Sequence, residues 1–146
     1  MKQSPLERII RFIGIRPRST YEVKRRLIRY GVTDLAPILT KLIEFGLLDD
    51  AAFAKWFTSS RLHSLRSPAM IRAELSSHHI EPELIKQMIQ VDNNFLKDQI
   101  FKLLTKKYGP PHSLETETRH QALRYLSTRG FAWDMVSQVV KKYESA

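Results

Sequence analysis

The chain has 146 residues, 42% of them hydrophobic and 27% charged, which is the length and composition of a folded globular protein. It has no cysteine, which excludes disulfides, thiolate catalysis and cysteine-ligated metal centres. Its formal net charge is +9, and residues 1–30 hold nine Lys and Arg against two acidic residues. Such a basic segment favours polyanions or acidic protein surfaces as partners, with a solvated basic face as the alternative.

The first predicted helix runs from Leu6 to Ile13. Glu7, Arg8 and Arg11 lie inside this apolar stretch, so it does not have the uninterrupted core of a signal peptide. No later stretch is long and apolar enough to cross a membrane. We therefore expect a soluble, cytoplasmic protein.

One apolar pattern then occurs three times along the chain. An apolar residue is followed by a second four positions later and by a third five positions beyond that. The copies are Val23, Leu27 and Val32; Ile71, Leu75 and Ile80; and Ala122, Leu126 and Phe131. The first two positions share one helix face, and paired apolar residues beyond the third predict a second helix after a tight turn.

The residue in the tight turn differs among the copies. Gly31 and Gly130 occupy it in copies one and three, where glycine adopts a positive φ at low cost. Copy two has His79 instead, which weakens the prediction of this type of turn there. Ser19 with Glu22 and Thr118 with Gln121 have the spacing of capping boxes, and Pro68 and Pro82 suit the first turn of a helix.

An amphipathic segment precedes each helix pair. These segments are Leu6–Ile13, Asp50–Leu62 and Phe95–Tyr108. The sequence therefore predicts an all-α protein of three tandem three-helix repeats, stacked into an elongated, curved array. The predicted ranges are 1–46, which includes the basic N-terminal segment, 47–91 and 92–146.

The residues offer no constellation for catalysis or for cofactor binding. The five histidines have no metal-ligand spacing, and the five glycines form no phosphate-binding loop. Asp49 and Asp50 directly precede a predicted helix, where capping explains them better than catalysis. Trp56 lies on a face that should pack, whereas Trp133 lies in a turn. We expect no enzymatic activity, no metal and no cofactor.

Several cations are predicted to face away from the core. At 100° per residue, Arg25 and Arg29 fall nearly opposite Val23 and Leu27. Lys24 and Arg72 occupy equivalent positions in copies one and two, and Arg124 matches Arg25 in copy three. The candidate contact residues are Lys24, Arg25, Arg29, Arg61, Arg66, Arg72 and Arg124. They precede the turn, whereas a helix-turn-helix reader needs polar residues after it, so phosphate or acidic protein is favoured over base readout.

Two stretches resemble the RecX family of recombinase regulators: Phe45–Ala54, which reads FGLLDDAAFA, and Ile71–Leu75, which reads IRAEL. The resemblance extends to Ser19–Leu27 and Tyr125–Phe131, and so covers nearly the whole chain. Leu65–Met70 departs from the family, which often has Gly-Pro and more basic residues there. His78 and His79 stand where Lys-Gly or Arg-Gly is common.

The resemblance implies a bacterial modulator that binds in the groove of the RecA filament on single-stranded DNA. It implies inhibition of the ATPase, strand-exchange and coprotease activities of RecA, and a fold of three tandem three-helix repeats. We expect a monomer with the RecA filament as its partner. The alternative is a direct, sequence-nonspecific DNA-binding protein that uses the basic N-terminal region. A scaffold that pairs with another helical protein is a third class.

Overall fold

The computed structural model describes residues 3–146; Lys2, one of the nine cations counted in residues 1–30, lies outside them. The described backbone is all-helical, without strands, which confirms the predicted all-α class. The helices are α1 (Pro5–Ile15), α2 (Thr20–Arg29), α3 (Ala36–Glu44), α4 (Asp50–His63), α5 (Pro68–Ser77), α6 (Pro82–Met88), α7 (Asn93–Tyr108), α8 (Thr116–Thr128) and α9 (Trp133–Ser145). In the same residues no helix has both the length and the apolarity needed to cross a bilayer.

Local sequence signals explain where α2, α5 and α6 begin. The Ser19 hydroxyl accepts a hydrogen bond from the Glu22 backbone N–H at 3.1 Å, and the Glu22 carboxylate accepts one from the Ser19 N–H at 3.2 Å. This is the predicted capping box, which satisfies two backbone donors at once. Pro68 and Pro82 are the first residues of α5 and α6, as expected of a residue that has no N–H to leave unpaired.

The second predicted capping box, at Thr118 and Gln121, is wrong. The N-cap of α8 is Glu115, three residues before Thr118, and its side chain makes no capping hydrogen bond. Distant contacts fix this start, because the Leu114 N–H donates to Glu144 Oε1 of α9 at 2.9 Å. Spacing along the sequence carries no information about such a partner.

The paired carboxylates before α4 have separate tasks. Asp49 caps the helix as predicted, since its Oδ1 accepts hydrogen bonds from the N–H groups of Ala51 at 3.0 Å and Ala52 at 3.3 Å. Asp50 instead accepts a hydrogen bond from the Thr20 N–H at 2.7 Å. It thereby fastens the start of α4 to the first turn of α2, a long-range contact that capping rules do not predict.

The same turn follows α2, α5 and α8. Val32 donates its N–H to the Leu27 carbonyl, Ile80 to Leu75 and Phe131 to Leu126, the six-residue closure of a Schellman motif. Gly31 and Gly130 have φ values of 88° and 95°. His79 has a φ of 59°, so the weakened prediction for copy two is corrected and the same type of turn is present there. The tertiary structure imposes the left-handed conformation on a residue that carries a β-carbon.

Gly130 and Gly31 differ in the space around them. A β-carbon on Gly130 would collide with the Ser67 hydroxyl, whereas one on Gly31 would meet open space. The hydroxyl cannot easily move, because it donates to the Arg129 carbonyl at 2.6 Å and accepts from the Met70 N–H at 3.2 Å. Because of Ser67, a side chain at position 130 should destabilise the fold more than one at position 31.

We expect Gly130→Ala to lower the free energy of unfolding by about 2–3 kcal/mol and Gly31→Ala by only about 1 kcal/mol, because both lose the left-handed glycine but only the former adds a clash. Urea unfolding followed by circular dichroism measures both. Adding Ser67→Ala should return part of the loss in Gly130→Ala. Equal losses in the two alanine variants would contradict the assigned role of Ser67.

The described chain divides into two compact units. The first comprises the residues up to Ser59 together with Glu74–Met88, and the second comprises Ser60–Ala73 and Ile89–Ala146. In the first unit α1 packs on α2, and its core contains Ile9, Ile13, Val23, Leu27, Leu42 and Leu48. In the second unit α7 and α8 pack on α9 around a core that extends from Ile100 to Tyr143. The predicted repeat ranges 1–46, 47–91 and 92–146 stay a prediction.

Candidate interaction surface

The seven predicted contact residues fall in both units. Lys24, Arg25 and Arg29 lie on α2 in the first unit, and all three are exposed. Arg72 on α5 and Arg124 on α8 are exposed in the second unit. Arg61, near the end of α4, and Arg66, in the following loop, are half-buried there and engaged in contacts.

Helix α2 presents its arginines opposite its buried face. Val23 and Leu27 are fully buried, whereas Arg25 and Arg29 are exposed, as the helical geometry predicts. Arg25 Nη1 donates a hydrogen bond to the Tyr21 hydroxyl at 2.9 Å, so one turn of helix orients its guanidinium.

A shallow recess of about 190 Å³ gathers three arginines of α2. Its lining residues are Phe12, Glu22, Arg25, Arg26 and Arg29. The sequence did not single out Arg26, which is half-buried with its guanidinium 4.2 Å from the centre of the Phe12 ring. Three guanidinium groups around one recess favour an anionic ligand, because each is a permanently charged donor suited to phosphate or carboxylate oxygens.

Other arginines of the basic N-terminal segment contact aromatic rings of the protein itself. Arg18 lies 3.8 Å from the centre of the Phe12 ring, which Arg26 also contacts. Arg8 lies 3.9 Å from the centre of the Tyr30 ring. These cation–π contacts stabilise the first unit. Part of the basic segment is therefore structural.

Glu22 is the one acidic group in the recess, and neighbouring cations compensate its charge. Arg16 Nη2 lies 2.7 Å and Arg18 Nη1 3.7 Å from Glu22 Oε2. Burial alone would raise the pKa of this carboxyl, but hydrogen bonds from Arg16 and the Ser19 N–H, with the charges of Arg16 and His78, hold the pKa below its usual value. Glu22 therefore stays ionised and paired.

The two adjacent histidines face different partners. His78 packs its ring on Phe53 and Phe57, with centroid distances of 5.1 and 5.5 Å, and its Nδ1 lies 3.7 Å from Glu22 Oε1. His79 stacks on Tyr21 of α2, with a centroid distance of 3.8 Å and an angle of 9° between the rings. Over the range 3–146 no three potential metal ligands converge.

The two tryptophans have different environments. Trp56 is half-buried against Phe53 and Phe57, with Arg16 5.5 Å from its ring centre, so it belongs to the periphery of the packed face rather than to its centre. Trp133 is 56% exposed at the first residue of α9. It is distant in sequence from the arginines of α2 and lies in the other unit.

Comparison with known proteins gives one consistent result. Residues 49–89 match the family model described as RecX, second three-helix domain. A regulatory protein RecX from Stenotrophomonas maltophilia (strain R551-3) is 27% identical over 142 residues, which is 96% of this chain and 87% of the relative. A regulatory protein RecX from Chromohalobacter salexigens is 29% identical over 135 residues, 91% of this chain and 88% of the relative.

Solved structures have the same fold. The crystal structure of RecX from Lactobacillus salivarius aligns with a TM-score of 0.76 at 18% identity and covers 95% of this chain and 94% of that one. A crystal structure described as regulatory protein RecX also aligns with a TM-score of 0.76, at 22% identity, over 94% of this chain and 70% of that one. Both alignments extend over nearly all of the chain.

Proposed function

We propose that this chain is a RecX-family protein and that it regulates the RecA recombinase, mainly as an inhibitor. It binds in the groove of the RecA filament on single-stranded DNA and lowers the ATPase, strand-exchange and coprotease activities of RecA. The observation that carries this proposal is the match, along nearly the whole chain, to proteins named regulatory protein RecX. The protein acts by binding, as a cytoplasmic monomer without a cofactor.

The contacts to the filament come from cations in both units. Arg25 and Arg29 of α2 are the strongest candidates, because they are exposed and share a recess with Arg26. Each contact is individually weak, but tethering within one chain raises the effective concentration of the others. The remaining candidates are Lys24, Arg61, Arg66, Arg72 and Arg124.

The DNA-dependent ATPase rate of RecA tests the proposal. We expect the rate to fall when this protein is added below the RecA concentration, because one bound molecule in the groove affects several RecA subunits. An unchanged rate at saturating protein would overturn the proposal. Cosedimentation with and without assembled RecA separates it from a scaffold for another helical protein, which would have no preference for the filament.

Direct, nonspecific DNA binding is the second candidate, and the basic N-terminal region favours it. It predicts tight binding to single-stranded DNA without RecA, with a steep dependence on salt. The engagement of Arg8 and Arg18 with aromatic rings reduces the number of cations left for such binding. Weak binding to DNA alone, combined with tight binding to the filament, would eliminate this candidate.

A further inference from the structure

The turn between α5 and α6 contains a strained residue that does not follow the pattern of the other two turns. His79 has a φ of 59°, whereas glycine occupies the equivalent positions 31 and 130. This conformation costs a residue with a β-carbon about 1–2 kcal/mol in conformational energy. Glycine does not have this cost. A side chain kept at such a position calls for a compensating contact or a function.

Part of the compensation is visible. The imidazole of His79 lies parallel to the Tyr21 ring, with 3.8 Å between centroids and 9° between planes. One face of the imidazole is covered by Tyr21, and the residue as a whole is exposed. The stacked pair therefore places an aromatic ring at the protein surface.

Cations continue from this stacked pair along the same face of α2. Residues 21, 25 and 29 follow one another at intervals of four, about 6 Å per step along the helix. Arg25 connects the two features, because it donates to the Tyr21 hydroxyl and also lines the recess with Arg26 and Arg29. Glu22 does not cancel this charge, since Arg16 and Arg18 compensate it.

We propose that this surface binds an unpaired nucleotide segment: a base stacks on the face of His79 opposite Tyr21, and Arg25 and Arg29 bind the phosphates beside it. A flat aromatic face next to a row of guanidinium groups is the combination that holds single-stranded nucleic acid without reading its sequence. A duplex does not fit the stacking face, because its bases are already stacked on one another. All residues of the proposed site lie within the first unit.

The inference deepens the proposed function and rests on it for its biological setting. It identifies the exposed single strand as the component of the filament that contacts α2, in place of an acidic protein surface. Its chemistry is independent of RecA, so it can be tested with DNA alone.

The test measures fluorescence anisotropy with two labelled probes at low salt: a twelve-residue oligothymidylate, and an abasic chain with the same number of phosphates. We expect the wild-type protein to bind oligothymidylate about tenfold more tightly than the abasic chain, because only the former offers a base for stacking. His79→Gly should remove that tenfold advantage and leave abasic binding unchanged. Arg25→Gln/Arg29→Gln should weaken binding of both probes.

Matched variants control for charge and for a general loss of aromatic surface. Lys102→Gln/Lys106→Gln removes two exposed cations with the same spacing from α7, and Trp133→Ala removes an exposed aromatic ring from the second unit. Both should bind the two probes as the wild type does. His79→Asn provides a second variant, since asparagine tolerates the left-handed conformation but has no ring; thermal melts confirm folding of each variant.

Two outcomes overturn the inference: equal wild-type affinity for the two probes, or unchanged oligothymidylate binding by both folded His79 variants, which would leave the stack as a purely structural contact between α2 and the turn. Either result leaves inhibition of the RecA ATPase by the wild-type protein untouched. Failure of that inhibition would overturn the proposed function whatever the oligonucleotides do.

Discussion

Replacing Glu22 by glutamine is expected to lower the free energy of unfolding by about 3 kcal/mol. The carboxylate pairs with Arg16 at 2.7 Å and Arg18 at 3.7 Å, and its side chain is only 16% exposed. Glutamine can still accept the hydrogen bond of the capping box, so the loss comes from the ion pairs. Removing the carboxylate leaves the half-buried guanidinium groups without their counter-charge, which costs more than losing a surface ion pair. Urea unfolding at neutral pH measures the difference.

The pH dependence gives an independent check. Because the folded protein holds the pKa of Glu22 below its usual value of 4.5, this carboxyl stabilises the fold fully above that pH and loses the effect as pH falls through the lower, folded-state pKa. The stability difference between wild type and Glu22→Gln should therefore shrink as the pH falls below about 4.5.

Glu44→Gln is the matched control, since Glu44 is exposed at the end of α3. We expect it to change stability by less than about 0.5 kcal/mol at any pH. A loss of similar size in both variants, or a difference between wild type and Glu22→Gln that grows as the pH falls below about 4.5, would contradict the role assigned to Glu22.

The environment of Glu22 illustrates how far the sequence predicts this protein. Its capping box was predictable, because Ser19 and Glu22 are three residues apart and the bonds are local. Its contact with His78 was not, since it joins parts of the chain more than fifty residues apart. Helical periodicity likewise predicted the helices and their turns, because the apolar spacing of a helix face is a local property.

On the candidate surface, too, the sequence predicted the local features but not the contacts between distant residues. Helical geometry placed Arg25 and Arg29 outward from Val23 and Leu27, which is correct. It could not separate these arginines from Arg26, which packs on Phe12. Nor could the sequence predict that His79 would stack on Tyr21, because nothing local indicates which ring a turn residue meets.

Reversing the charge of both α2 arginines should have the largest effect on the proposed activity. We expect Arg25→Glu/Arg29→Glu to raise the concentration needed for half-inhibition of the RecA ATPase by about 10–100-fold. An acidic protein surface or a phosphate would then face carboxylates instead of guanidinium groups, and like charges brought together at an interface cost several kcal/mol. The measurement is an inhibition titration at two salt concentrations, and the defect should narrow at the higher one because salt screens the repulsion.

Lys102→Glu/Lys106→Glu is the control that separates the effect of overall charge from the effect of where the cations lie. It changes the net charge by the same amount with the same four-residue spacing, on an exposed face of α7 that contains none of the predicted contact residues. If inhibition depends on where the cations lie, this variant should inhibit nearly as well as the wild type. If both double variants lose inhibition equally, overall charge rather than the surface of α2 attracts the filament, and the assignment of Arg25 and Arg29 as contact residues is wrong.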